Sequence, residues 1–201
     1  MTSCEWTWRQ LTAEELTQVY LHEMRRDFPA GELKPLSTIL NGEAAGMGHT
    51  WGVFCAGELA AYLVMVCPPG SVVSQLDYFA VLPAYRSAGL GAQLLRQLPD
   101  QEKGVRAIMI ESECPERAED EQTARRRLDF YARGGAVDTG WVEHLFEGWF
   151  RILLLDCGAA AIETGEAIHA LAGCYRATLG KDQWKRFIRF YAPNGVESAE
   201  D

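Results

Sequence analysis

Hydrophobic and polar positions along the chain follow two periods, one typical of strands and one typical of helices. Apolar or alternating runs predict strands over residues 6–10, 50–56, 58–66, 73–81, 106–113, 141–146 and 149–156. Apolar residues at helical spacing predict a first helix that begins at residue 12 or 13 and ends at 24, and further helices over 33–40, 89–98, 123–133, 164–179 and 182–191. The predicted order is β-α-α-β-β-β-α-β-α-β-β followed by two helices. This is an α/β (α+β) arrangement with about seven strands.

The turn between the 73–81 strand and the 89–98 helix carries the clearest chemical signal. It reads Arg86-Ser87-Ala88-Gly89-Leu90-Gly91 and leads directly into the helix. The first backbone N–H groups of a helix lack partners within the helix and lie at the positive end of its dipole, so they attract phosphates. Leu94 stands where a dinucleotide-binding motif needs its third Gly, and the Gly-Lys-Ser/Thr of a P-loop is absent. The alternative is a plain strand–helix connection whose glycines only relieve packing.

Composition narrows the class of partner. A chain of 201 residues forms one domain, or one domain with an appendage. The net charge of −9 argues against nucleic acid as a partner and leaves room for cationic substrates such as amines. No long apolar run and no secretory signal is present, which predicts a protein without a membrane partner. The six cysteines show no metal-binding spacing, which predicts no metal site and reduced thiols in the cytoplasm.

Two segments resemble motifs of one enzyme family. The R-x-x-G-x-G pattern of residues 86–91, which follows the V-x-P turn at residues 81–83, resembles the acyl-CoA pyrophosphate loop of the GNAT superfamily of N-acetyltransferases. Residues 127–135 resemble the family's F-Y-x-x-x-G-F segment through Phe130, Tyr131 and Gly135. The resemblance implies the GNAT fold, a mixed central sheet that splays in the middle and is flanked by helices. The change of pattern after residue 158 predicts a GNAT domain over 1–158 and a C-terminal helical extension, packed on the core, over 159–201.

The resemblance also implies how acetyl-CoA, the co-substrate, would be held. Backbone groups of the central strand would pair with the pantetheine arm, and the residues concerned are Phe79, Ala80 and Val81. Backbone N–H groups of the loop and helix start would bind the pyrophosphate, and these belong to Arg86, Ser87, Ala88, Gly89, Leu90, Gly91 and Ala92. The Arg86 side chain would either add charge to a phosphate or orient the loop.

Tyr131 is the candidate acid. Carried over from the family motif, Tyr131 would lie near the thioester sulfur and protonate the departing CoA thiolate, a task that a phenol can perform. The alternative is a Tyr that packs on the apolar face of its helix. The chain departs from the family pattern at Ala136, where an aromatic residue usually follows the Gly, and at Ala124, where many members have Asn.

The candidate base is a carboxylate, because an alkylamine is almost wholly protonated at neutral pH and must lose a proton before it attacks. Protein-acetylating relatives have a Glu near the start of the central strand, where this chain has Gln75, which cannot act as a base. Glu111 ranks first among the alternatives, followed by Glu113 and Asp77. Exposed positions at strand edges would equally explain each of these acids, and a site that lowers the amine's own pKa would need no base.

The acceptor pocket is expected from residues 23–39, the loop before Thr50 and residues 140–149. Phe28, Trp51, Trp141 and Trp149 would line it, although core packing is the commoner use of aromatic residues. The predicted function is transfer of acetyl from acetyl-CoA to a primary amine of a small molecule or peptide, by direct attack in a ternary complex. The alternatives are a catalytically degenerate acyl-CoA-binding or regulatory module and a protein N-acetyltransferase. A homodimer is left open.

Overall fold

The computed structural model describes residues 5–86, 89–158, 160–179 and 181–195. Its strands are β1 (Trp6–Gln10), β2 (Gly48–Cys55), β3 (Glu58–Val66), β4 (Val73–Val81), β5 (Ala107–Glu113), β6 (Val137–Leu145), β7 (Gly148–Asp156) and β8 (Ile188–Tyr191). They form one mixed sheet in the order β1-β2-β3-β4-β5-β7-β6-β8, flanked by helices. The predicted fold class is therefore confirmed, with eight strands instead of about seven, while the splay at the centre of the sheet stays a prediction.

The helices are α1 (Ala13–Val19), α2 (Arg25–Asp27), α3 (Leu36–Ala44), α4 (Leu90–Gln101), α5 (Glu121–Arg133), α6 (Thr164–Leu179) and α7 (Lys181–Phe187). Contacts divide the chain into two compact units, Met1–Pro69 with Leu76–Gly91 and Gly70–Gln75 with Ala92–Asp201. The first unit contains β1 to β3 and most of β4, and the second contains the start of β4 and strands β5 to β8. The boundary predicted after residue 158 stays a prediction.

The first unit begins with a strand and a capped helix. Thr12 Oγ1 accepts a hydrogen bond from the backbone N–H of Glu15, and the Glu15 carboxylate accepts one from the N–H of Thr12. This reciprocal capping fixes the helix start where the sequence predicts it. The helix continues through a π-helical turn, Tyr20–Met24, and ends with α2 at Asp27, three residues beyond the predicted end.

An apolar cluster forms the core beneath this helix. Its buried residues are Leu11, Leu16, Val19, Met24, Ile39, Tyr62, Val64 and Tyr78. The hairpin of β2 and β3 contributes Tyr62 and Val64, and its tight turn uses Gly57, whose φ of +87° suits a residue without a side chain. The cluster therefore ties the first helix to the strand that leads into the Gly-rich loop.

The second unit is built on antiparallel pairs. Strand β7 pairs with β5 and with β6, and β6 pairs with β8. The sequence predicts a helix over 182–191, and this prediction is wrong for its last four residues, because Ile188–Tyr191 forms β8. These residues are β-branched or aromatic at three of four positions, and Ile188 and Phe190 alternate as buried residues against β6. This strand alternation of buried residues, paired with β6, takes precedence over the helical spacing of apolar residues from Trp184 to Tyr191.

Helix α6 and the segment before it make polar contacts with residues that lie just before β4 and β5 in the same unit. The Arg106 guanidinium donates to the Glu166 carboxylate and to the carbonyl of Ala161. Ser71 Oγ lies 3.9 Å from Cys174 Sγ on the buried face of α6. The helix is thus an integrated part of this unit.

Cysteine chemistry departs from expectation at one position. Cys67, Cys114, Cys157 and Cys174 are reduced, but Cys55 is disulfide-bonded, so the prediction of reduced thiols is wrong there. Within the described ranges, no group of three or more His, Cys, Asp or Glu side chains could hold a metal ion. None of the helices in the described part of the chain is long and apolar enough to cross a membrane.

Candidate active site

The Gly-rich loop joins the end of β4 to the start of α4. After Val81 the chain makes a 3-10 turn, Pro83–Tyr85, and α4 begins at Leu90, which is buried. Gly89 has a φ of +74°, and a Cβ built on it would meet no atom within 4 Å. The loop therefore has a glycine-favouring backbone and open space where a phosphate would lie against the first N–H groups of α4. Ser87 and Ala88 lie outside the described residues.

The Arg86 side chain is bonded to the protein. Its Nε donates to the carbonyl of Val81 at 2.7 Å, and its Nη2 donates to Asp27 Oδ1 at 2.8 Å. Of the two predicted roles, these contacts favour orientation of the loop. They also occupy the Val81 carbonyl, one of the groups expected to pair with pantetheine. Phe79 and Ala80 are partly buried, and Ala80 packs against the core cluster of the first unit.

In the second unit the structure brings the candidate acid and the first-ranked base into electrostatic range. Tyr131 lies in the last turn of α5, and Glu111 lies on β5. Loss of water around the Tyr131 hydroxyl raises its pKa, the Arg127 charge lowers it, and the nearby Glu111 carboxylate raises it further. The phenol is therefore protonated at neutral pH, as a hydrogen-bond donor to a thiolate must be.

Glu111 is held by hydrogen bonds at both oxygens. Gln75 Nε2 donates to Oε2 at 3.0 Å, and the Tyr175 hydroxyl donates to Oε1 at 2.6 Å. Gln75 and Tyr175 are almost completely buried, whereas Glu111 is half-buried. A carboxylate has about four lone-pair sites, so room remains for an amine or a water. Gln75, which the resemblance aligns with a Glu of protein-acetylating relatives, thus donates a hydrogen bond to a neighbouring carboxylate.

The other two candidate bases have different surroundings. Glu113 is half-exposed on β5, with its Oε2 3.8 Å from Arg127 Nη1. Asp77 belongs to the first unit and forms a short ion pair with Lys34, whose Nζ donates to both oxygens at 2.7 and 2.8 Å. A lysine ammonium competes with an amine for the same carboxylate, so the structure favours Glu111 over Asp77.

The predicted acceptor-pocket residues have neighbours of their own. Phe28 packs edge-on against Tyr78, with ring centroids 4.9 Å apart, and joins the core cluster. Trp51 on β2 contacts Trp8 and His49 in the same way. These contacts match the packing alternative for Phe28 and make Trp51 part of an aromatic cluster.

The two predicted pocket residues on the later strands belong to the second unit. Trp141 on β6 is partly buried, and its backbone N–H donates to Thr139 Oγ1 at 3.2 Å. Trp149 on β7 packs against His144 and Tyr191, and the Arg117 guanidinium lies over its ring. A role of either residue in acceptor binding stays a prediction.

The sequence prediction does not include two polar residues that contact candidate site residues, one in each unit. Asp27 accepts a hydrogen bond from Arg86, which lies 59 positions along the chain. Tyr175 donates a hydrogen bond to Glu111, which lies 64 positions away. A signal for Tyr175 did exist, because it lies on the apolar face of α6 with Ile168 and Leu171, where a buried hydroxyl needs a partner.

Comparison with known proteins identifies the family. The model of the acetyltransferase (GNAT) family matches residues 5–133, more than half of the chain. The chain therefore belongs to the GNAT acetyltransferase family, as the two motifs predict. No curated protein matches the sequence.

Solved structures of other GNAT proteins share the fold. A putative GNAT acetyltransferase from Bacteroides thetaiotaomicron is 17% identical with a TM-score of 0.65, over 88% of this chain and 99% of that chain. The ribosomal-protein-S18-alanine N-acetyltransferase of Escherichia coli is 21% identical with a TM-score of 0.58, over 78% and 97%. Spermidine N-acetyltransferase from Vibrio cholerae, in complex with CoA and spermine, is 12% identical with a TM-score of 0.57, over 76% and 95%.

Proposed function

We propose that the protein transfers acetyl from acetyl-CoA to a primary amine of a small molecule or peptide, by direct attack in a ternary complex. The observation that carries the proposal is the Glu111 carboxylate, whose two oxygens accept hydrogen bonds from Gln75 and Tyr175, in the same unit as Tyr131. A protonated phenol and an oriented carboxylate lie close enough for the charge of one to raise the pKa of the other. Acyl transfer to an amine is assisted by one group that accepts a proton from the nitrogen and one that donates a proton to the thiolate.

Glu111 would act on the acceptor. Its carboxylate would attract the ammonium form of the substrate and take a proton from it, directly or through a water. The uncharged nitrogen would then attack the thioester carbonyl carbon, forming the C–N bond as the C–S bond breaks. Gln75 and Tyr175 would keep the carboxylate in one orientation, because a base must lie within hydrogen-bond reach of the proton that it takes.

Tyr131 would act on the leaving group. As the C–S bond breaks, the phenol would donate its hydrogen bond to the CoA sulfur and supply the proton that makes the free thiol. The raised pKa keeps the hydroxyl protonated until that moment. Glu111 would pass the first proton to water and take the second from the nitrogen as the amide forms. One of these protons would return through water to the Tyr131 phenolate and the other would be released. The overall reaction is therefore thioester plus ammonium to amide, thiol and one proton.

The Gly89 loop supports acetyl-CoA as the donor. A positive φ at Gly89, open space around its Cα and a helix start directly after it suit a pyrophosphate. Among structures with this fold, one bears the name of a spermidine N-acetyltransferase and another the name of a ribosomal-protein-S18-alanine N-acetyltransferase. Spermine and an alanine-ended peptide are therefore suitable first acceptors, and the chain's net negative charge favours cationic ones.

The test is release of free thiol from acetyl-CoA in the presence of spermine, spermidine and a peptide with an N-terminal alanine. Tyr131→Phe should reduce kcat by about 10²-fold or more, because a positioned acid contributes about 10² to 10⁴. Glu111→Gln should reduce kcat similarly, whereas Glu113→Gln, a matched change two residues along the same strand, should have little effect. If Glu113→Gln is the damaging change, Glu111 is not the base.

Binding of the donor is tested separately by titration calorimetry with CoA. Gly89→Glu should abolish binding, because it strains the backbone and puts a negative charge against the phosphates. Gly57→Glu is the matched control, since Gly57 also has a positive φ and open surroundings but lies in the β2–β3 turn. CoA binding without thiol release from any acceptor would favour the degenerate binding module. Equal binding to the wild-type and Gly89→Glu chains would remove the loop from the proposal.

A further inference from the structure

The Arg86 guanidinium is held by contacts that belong to the protein itself. It bridges the last carbonyl of β4, at Val81, and the carboxylate of Asp27 at the end of the first helix. The side chain is 49% exposed, so about half of its surface lies against the protein. The bridge crosses the base of the loop, because Val81 and Arg86 stand at either end of the 3-10 turn that leads into it.

Asp27 is built to receive this bridge. Its side chain is only 7% exposed, and both oxygens accept hydrogen bonds. Arg26 donates to Oδ1 and Oδ2, Arg86 donates to Oδ1, and the hydroxyl of the fully buried Tyr62 donates to Oδ2 at 3.1 Å. Burial alone would raise the pKa of Asp27, but the bonds from Arg26 and Arg86 outweigh it and lower the pKa. A charged carboxylate thus lies fixed beside the loop.

We infer that Asp27 is a positioning residue of the acyl-CoA site, which acts through Arg86 to fix the Gly89 loop in its phosphate-binding shape. The inference rests on the proposed function, since it assigns a role in binding the same donor. Anion binding by backbone N–H groups depends on their convergence on one point, so a loop that is not held loses affinity. Asp27 provides this contact from the end of the first helix, within the segment expected to bind the acceptor.

The test is a double-mutant cycle on the affinity for CoA, measured by calorimetry on the full chain. Asp27→Asn should weaken CoA binding by about tenfold, equivalent to about 1.4 kcal/mol. Arg86→Ala should weaken it by a similar factor, and adding Asp27→Asn to Arg86→Ala should weaken it no further. Such non-additivity is the signature of residues that act together, and a general loss of stability would not produce it. Glu15→Gln, which breaks the exposed Arg9–Glu15 pair in the same unit, should leave the affinity unchanged.

The outcomes separate this inference from the proposed function. Absence of CoA binding to the wild-type chain would refute the proposed function and, with it, the inference. A wild-type chain that binds CoA while Asp27→Asn binds equally well would refute the inference alone, as would fully additive effects of the two changes. Should Asp27→Asn fail to fold, Arg86→Gln tests the same link from its exposed end, and unchanged CoA affinity in that variant would overturn the inference.

Discussion

Replacement of Gly134 by Ala should destabilise the protein at the point where α5 delivers Tyr131. Gly134 caps the helix with a φ of −76° and a ψ of −8°, which Ala adopts without strain. The space is the obstacle, because an added Cβ would lie 2.7 Å from both Cβ and Cδ1 of Leu95, a fully buried residue. Contacts below 3.0 Å are essentially never observed for Cβ atoms, so Leu95 or the end of α5 must move.

The magnitude follows from two opposing contributions. Overpacking of a dense core costs about 1–3 kcal/mol. Replacing Gly where the backbone is compatible with Ala stabilises by about 0.4–1 kcal/mol, because the unfolded chain loses freedom. The net loss should be about 1–2 kcal/mol. In a chain of this size the melting temperature should fall by about 2–8 °C.

The assay is urea denaturation followed by circular dichroism, with two companion variants. Gly173→Ala, inside α6 and 3.9 Å from its nearest neighbour, Arg176 Nη2, should stabilise by about 0.5–1 kcal/mol. In a Leu95→Gly background, which removes both the Cβ and the Cδ1 that clash, Gly134→Ala should cost little. If Gly134→Ala proves as stable as the wild-type chain, or if its cost persists without Leu95, the steric argument is refuted.

Two further predictions concern single polar contacts. Tyr175→Phe removes the hydroxyl that holds Glu111, so it should lower kcat in the thiol-release assay while leaving the KM for acetyl-CoA unchanged, and it should have no further effect in a Glu111→Gln chain. A change in the KM alone would contradict that role. The charged form of Glu15 stabilises the folded protein, because its hydrogen bonds with Arg9 lower its pKa from 4.5 to about 2. The advantage of the wild-type chain over Glu15→Gln in urea denaturation should therefore be present at neutral pH and shrink as pH falls from 4.5 towards about 2, and a growing advantage in acid would contradict the pairing.

Much of the fold could be predicted from local pattern because turn-forming residues clearly separate neighbouring strands and helices. Strands β1 and β4 and helix α6 have the bounds that the pattern predicts, and Pro68-Pro69-Gly70 and Pro83 mark the breaks on either side of β4. The failure over residues 188–191 has a definite cause. Ile188 belongs both to the helical spacing with Trp184 and Tyr191 and to the strand alternation with Phe190, and only the availability of β6 as a pairing partner decides between the two.

Part of the candidate site could likewise be predicted from the sequence, and part could not. The positive φ at Gly89 could be predicted because a short run of glycines encodes backbone shape locally, while phosphate binding by this loop stays a prediction. The ranking of Glu111 above Asp77 gains its support from long-range contacts, namely Lys34 at Asp77 and Tyr175 at Glu111. Sequence spacing cannot supply such pairs, because they depend on which side chains the fold brings together across more than 40 positions.

The hydrogen bond from Tyr175 connects Glu111 to a part of the chain that lies beyond the family match. The family match stops at residue 133, and both motifs lie before residue 136, yet the hydroxyl that orients Glu111 comes from α6. A chain shortened to the recognisable motifs would retain the loop, Tyr131 and Glu111 itself, but one carboxylate oxygen would lose its donor. Truncation should therefore leave the proposed base with only its hydrogen bond from Gln75, so the extent of the family match is a poor guide to the extent of the proposed site.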